Sequence, residues 1–161
     1  MIVVTGTAPR CGTSAMMRLL LSEFPAHSYA EQFPSYVAKE KNPEGFWDVK
    51  HSVVFDQETI PYEEGSVIKL WSPQFKFIDT SKVKLLVIMQ RDNFMEQIES
   101  IYSCALAEGI PPLSPQDISM MFKNQNHGIQ EEFADTTKLR VKMSDLRSKP
   151  DDVLTLIKEL I

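Results

Sequence analysis

The chain has 161 residues, 43% of them hydrophobic and 24% charged, with a formal net charge of −5. That length suits one domain, residues 1–161, able to bury about 68–70% of its unfolded surface around a single core, and the composition excludes a disordered chain. The acidic balance argues against a generic nucleic-acid binder, which concentrates basic surface, while leaving room for a local basic pocket.

Cys11 and Cys104 lie far apart in the sequence, so neither a disulfide framework nor a paired-cysteine metal motif is expected, and the composition points to a reducing cytoplasm. No apolar run approaches the roughly 20 residues that span a bilayer, and the start lacks a basic flank with a secretory core. No membrane partner is expected. Internal repeats and low-complexity runs are absent.

In chain order, Ile2 to Thr5 is predicted as a strand, apolar throughout as befits a parallel strand covered on both faces. Thr5-Gly6-Thr7-Ala8-Pro9-Arg10-Cys11-Gly12-Thr13-Ser14 follows, then a helix over about Gly12 to Glu23 with Met16, Leu19 and Leu20 on one stripe. A strand that breaks into a glycine-containing turn and then a helix leaves unpaired N–H groups converging at the helix start. Phosphate or sulfate suits that position. The ordinary loop G-x-x-x-x-G-K-[ST] is matched only in part. Gly6 and Gly12 are six apart rather than five, Thr13 stands at the lysine position, Ser14 keeps the hydroxyl, and the cation is Arg10.

Ala26 to Ala30 reads as a weak second strand, followed by Glu31 at an edge where α/β proteins place their sites. Asn42-Pro43-Glu44-Gly45-Phe46-Trp47-Asp48 is turn-rich and leads into a helix over about Val49 to Gln57, which Asp48 is placed to cap. Gly65 to Pro73 is a third strand whose end presents Lys69. Lys82 to Asp92 is the clearest strand, apolar and ending in charge, and the helix after it carries an apolar stripe of Phe94, Ile98, Ile101 and Ala105 beside a second stripe of Gln97, Ser100 and Cys104.

Ser114 is placed to cap the next helix, with Pro115 at its first position and Ile118, Met121, Phe122, Ile129 and Phe133 as its core face. Lys138 to Met143 alternates like a half-exposed edge strand. Pro150 with Asp151 and Asp152 opens a final helix, whose Val153, Leu156, Ile157 and Leu160 form the predicted buried stripe.

The spelling Pro9-Arg10-Cys11-Gly12-Thr13-Ser14 resembles the 5′-phosphosulfate loop of sulfotransferases, commonly Pro-(Lys/Arg)-Ser-Gly-Thr-(Ser/Thr), with Cys11 in place of serine. Asn42 to Asp48 resembles a segment found at a similar distance in bacterial relatives, and Arg91-Asp92-Asn93 resembles the family's strand–Arg-(Asp/Asn)-Pro–helix signature. Asn93 replaces the proline there, and Ser100 lies nine residues after Arg91 where eight is usual, with Glu99 at the usual place. Val141 to Leu146 resembles the segment usually written Tyr-Glu-Asp-Leu, Met143 replacing the tyrosine.

The resemblance implies an α/β three-layer P-loop fold, with a mainly parallel sheet of about five strands between helices. It implies 3′-phosphoadenosine 5′-phosphosulfate as donor, a hydroxyl or amine acceptor of unspecified identity, and no metal. Arg10, Cys11, Gly12, Thr13 and Ser14 would hold the donor's 5′ end. Arg91, with Ser100 or one turn later Ser103, would hold the 3′-phosphate, Lys69 would meet the transferring group, and Glu31 or Asp48 would serve as base. Two other readings stand beside this one: a small P-loop kinase, with Asp92 as a substitute metal carboxylate, and a non-catalytic anion-binding protein.

Overall fold

The computed structural model describes residues 1–24 and 64–161, apart from 77, 108, 110 and 112. The expected strand at 26–30, the helix at 49–57, Glu31, Asp48 and the aromatic pair Phe46 and Trp47 lie outside the described residues.

Four strands form one all-parallel sheet: β1 (Ile2–Gly6), β2 (Val67–Lys69), β3 (Leu85–Gln90) and β4 (Thr137–Lys142), in the order β2-β1-β3-β4. The chain is therefore α/β, with four strands among the described residues. Ile2 pairs with both Val67 and Leu85, and Gly6 with Met89, so β1 is flanked on both sides. β2 and β4 are the edge strands of the described sheet; β4 is exposed at most of its positions except Val141. Its alternation marks it as such in the sequence.

Because successive strand residues point to opposite faces, β1 and β3 feed two cores. Ile2, Val4, Leu85, Val87 and Met89 pack with α1 (Thr13–Leu20) through Met16, Met17 and Leu20. Val3, Leu86 and Ile88 pack on the other face with Ile68, Phe75, Ile129 and Phe133. Phe75 belongs to α2 (Ser72–Phe75), and Ile129 to α4 (Pro115–Glu132), which ends one residue before Phe133. The rings of Phe75 and Phe133 meet edge to face, 4.8 Å between centroids.

Between β3 and α4 runs α3 (Phe94–Ala107); a short helix α5 (Met143–Ser148) follows β4, and α6 (Pro150–Leu160) closes the described chain. Leu146, Val153 and Ile157 complete the core on the α1 side. Ser114 caps α4 as its sequence predicts: its hydroxyl accepts from the Asp117 amide at 3.1 Å, while Asp117 accepts from the Ser114 amide at 3.0 Å.

Three predicted stripes shift. On α3 Ile101 and Ala105 are buried as predicted and Gln97 joins them, whereas Ile98 is half-buried and Phe94, the first residue of the helix, is 53% exposed because it projects beyond the core into the groove against α4. On α6 only Val153 and Ile157 are buried, since that helix covers the sheet near its edge and needs a narrower seam; Leu156 and Leu160 stay partly in water. On α4 Met121 and Phe122 are half-buried, Phe122 lining the groove against α3.

The helix following β1 covers one face, and those following β2 and β3 lead to the other. A crevice therefore opens beyond the carboxyl ends of these strands, where such a reversal places ligand sites in open parallel sheets.

Candidate functional site

Three strand ends meet at that crevice. Beyond β1 comes the loop Thr7–Gly12, beyond β2 the pair Leu70–Trp71, and beyond β3 Arg91. The cleft they enclose has a volume of about 230 Å³ and is lined by Pro9, Arg10, Gly12, Thr13, Ser14, Lys69, Trp71 and Arg91. Three of those eight side chains are cations, in a chain whose net charge is −5.

The loop is built around two backbone constraints. Gly12 has φ 102°, which requires glycine, and a Cβ there would also push aside the sulfur of Met143. Gly12 serves as the N-cap of α1 without a side-chain hydrogen bond to that helix, and its carbonyl accepts the amide of Met16 at 3.1 Å. Gly12 supplies no side chain to cap α1; the Thr13 amide is turned to the Cys11 sulfur, and the helix start sits at the cleft beside Thr13 and Ser14, an arrangement that attracts anions. Arg10 also takes positive φ, 67°, the one non-glycine to do so among the described residues.

Lys69 is 3% exposed, and its Nζ lies 3.4 Å from the hydroxyl of Ser14. Its ammonium lines the cleft beside the start of α1, where cation and helix dipole both favour a negative ligand. Arg91 reaches in from β3: its Nε donates to the Arg10 carbonyl at 2.9 Å, and its Nη1 is 3.9 Å from the Glu96 carboxylate. Ser100 accepts a 3.2 Å hydrogen bond from Arg10 Nε. Arg10, Gly12, Thr13, Ser14, Lys69, Arg91 and Ser100 are thus brought together.

Asn93, standing where the resemblance expects proline, caps α3 through its side-chain oxygen, which accepts from the Met95 amide at 2.9 Å. In this helix Ser100 faces Arg10, while Glu99 and Ser103 are exposed.

Cys11 turns the other way. Its side chain is fully buried under the loop, against Gly6, where a Cβ would collide with the thiol sulfur. Burial pushes the thiol up to about 11, and its side chain forms no part of the cleft wall. Asp92 also faces away from the cleft: its carboxylate accepts from the Ser144 amide at 3.0 Å and from the Ser144 hydroxyl at 2.7 Å, which holds its pKa below the usual carboxylate value.

Two buried glutamines that sequence reasoning gave no role fix the cleft from behind. Gln97 of α3 donates to the carbonyls of Ala8 at 3.2 Å and Pro9 at 2.9 Å. Gln125 of α4 donates to the Thr5 hydroxyl at 2.7 Å and accepts from the Ser72 amide at 2.9 Å, tying β1 to the start of α2. Their only sequence signal is a polar amide at an inward helical position.

A second and larger hollow, about 810 Å³, lies between α3 and α4 and is lined chiefly by Phe94, Met95, Ile98, Tyr102, Ile118 and Phe122. Lys123 and His127 stand at its side, His127 Nε2 3.1 Å from Glu131 on the same helix. Among the described residues no group of three histidine, cysteine or acidic side chains could hold a metal ion, and no helix is long and apolar enough to cross a membrane. In sequence comparison the chain matches no family model and no curated protein.

Proposed function

We propose that the cleft is a P-loop-like phosphosulfate cradle, and that the protein transfers a sulfonate group from 3′-phosphoadenosine 5′-phosphosulfate to a hydroxyl or amine acceptor. The observation that carries this reading is Lys69, a buried lysine directed at Ser14 beside the glycine start of α1. The donor, when bound, supplies an electrophilic sulfur whose leaving group is a phosphate oxygen.

The residues divide the work by position. Thr13 and Ser14, with the first amides of α1, hold the 5′ end, and Arg10 adds a cation beside them. Lys69 neutralises charge that develops on the leaving oxygen; fixed donors and cations of this kind act most strongly where water is excluded. Arg91 and Ser100, which both bond to Arg10, form the 3′-phosphate side of the cradle. Trp71 lines the cleft as part of the acceptor wall. The reading assigns proton removal to Glu31 or Asp48, a step typically worth about 10²- to 10⁴-fold.

The kinase reading ranks lower because Asp92, its one strand-end carboxylate, has both oxygens engaged by Ser144. Transfer of labelled sulfonate to a panel of hydroxyl and amine acceptors tests the proposal. Transfer that Arg10→Ala abolishes is expected. Tight donor binding without transfer to any acceptor would instead favour a binding protein.

A further inference from the structure

From the hydrogen bonds behind the loop we infer that Gln97 is a positioning residue: it straps the Ala8–Pro9 backbone to α3 and thereby holds Arg10 in its left-handed conformation at the mouth of the cleft. The inference rests on the reading of this cleft as an anion site. A non-glycine residue at positive φ is intrinsically disfavoured and persists only where the surroundings impose it. At Arg10, φ is 67°.

Three contacts impose this conformation, and all come from the β3–α3 segment. Gln97 Nε2 reaches the carbonyls of the two residues preceding Arg10, Arg91 Nε holds the carbonyl of Arg10 itself, and Ser100 Oγ receives the Arg10 side chain. Of the three, only the Gln97 side chain is buried, 2% exposed, and it takes no part in lining the cleft. Arg91 lines the cleft itself, and Ser100 holds the outer end of the Arg10 side chain. Gln97 supports the backbone alone.

Its amide is suited to this geometry, because one NH₂ group carries two donors and meets two carbonyls that would otherwise be buried together. Glutamate at the same place would present acceptors to acceptors.

The test compares Gln97→Leu and Gln97→Glu with Ile129→Ala, a core change on the α4 side remote from the loop. Titration calorimetry with 3′-phosphoadenosine 5′-phosphate and with inorganic sulfate reads affinity, and amide hydrogen exchange of the ligand-free proteins reads the loop. Both Gln97 variants are expected to weaken bisphosphate binding at least about tenfold and to speed exchange at residues 8–12, with residues 2–5 unchanged. Ile129→Ala, even with a larger fall in Tm, should keep its affinity within about twofold.

Equal affinity losses for Gln97→Leu and Ile129→Ala, or unchanged exchange at 8–12, would overturn the strap. If Gln97→Leu does not fold, Gln97→Asn, which keeps the amide but withdraws it by one methylene, carries the same comparison. Failure of the unaltered protein to bind either anion overturns the cleft reading, and the exchange measurement then judges the strap by itself.

Discussion

Two of the hollows among the described residues differ sharply in size and chemistry. The groove between α3 and α4 is about 810 Å³ and mostly apolar; the cleft at the strand ends is about 230 Å³ and holds Arg10, Lys69 and Arg91. Volume favours the first and chemistry the second. The groove is what remains where two amphipathic helices meet imperfectly, with Phe94 against Phe122 at 5.1 Å between centroids. The cleft is where strand ends, the glycine start of a helix and a buried cation converge, each fixed by a contact elsewhere in the fold.

The largest effect is expected at Lys69. Lys69→Met should weaken bisphosphate binding by about 2–4 kcal/mol, roughly 30- to 1,000-fold by calorimetry, since a desolvated cation is lost from an anion site. A change below threefold would place the anion elsewhere and break the contrast between the hollows.

Next in size is the pH response of Cys11. Its thiol is raised by burial from the ordinary 9.0 to about 11, so the folded protein keeps a proton that the unfolded chain releases. Stability from this source is intact below about pH 9 and falls by about 2–3 kcal/mol as pH rises towards about 11. Denaturation of Cys11→Ala across that range should show a shallower decline than the parent; parallel declines would mean that the thiol is not held beneath the loop.

Gly12→Ala should cost about 1–3 kcal/mol in chemical denaturation, from positive φ and the collision with Met143. It should also weaken anion binding, because the start of α1 must shift. The smallest effect belongs to the groove: Phe122→Ala loses an aromatic contact worth about 0.5–1.5 kcal/mol beyond its buried area, yet should leave bisphosphate affinity within about twofold. A larger loss would make the two hollows one site.

Much of the cleft was legible because its signals are local. The glycine turn between an apolar run and a helix, Lys69 at the end of a strand, Arg91 after the clearest strand and Ser114 with Pro115 all follow from spacing within a few residues. The loop's own chemistry identified Arg10, but it could not reveal that the Cys11 side chain packs inward, because a cysteine between arginine and glycine reads equally well as lining or as core. The packing against Gly6 decides it.

The α3 stripe misled for a related reason. Phe94 and Ile98 make the most apolar face, whereas Gln97 forms bonds 88 and 89 residues away in sequence, which no helical period encodes. Met143 was legible as a replacement in a familiar segment, but not as the side chain whose sulfur packs over Gly12. Bonds from Gln97 to backbone carbonyls across the fold act together with burial of Ile101 and Ala105 to seat the helix that completes the site.

The proposed occupant of the cleft is a phosphosulfate nucleotide. Calorimetric titration of the protein with 3′-phosphoadenosine 5′-phosphate, set against ATP with magnesium, tests it most directly. Tighter binding of the bisphosphate, independent of magnesium and abolished by Lys69→Met, is the predicted result. Tighter magnesium-dependent ATP binding, with no measurable bisphosphate binding, would contradict it.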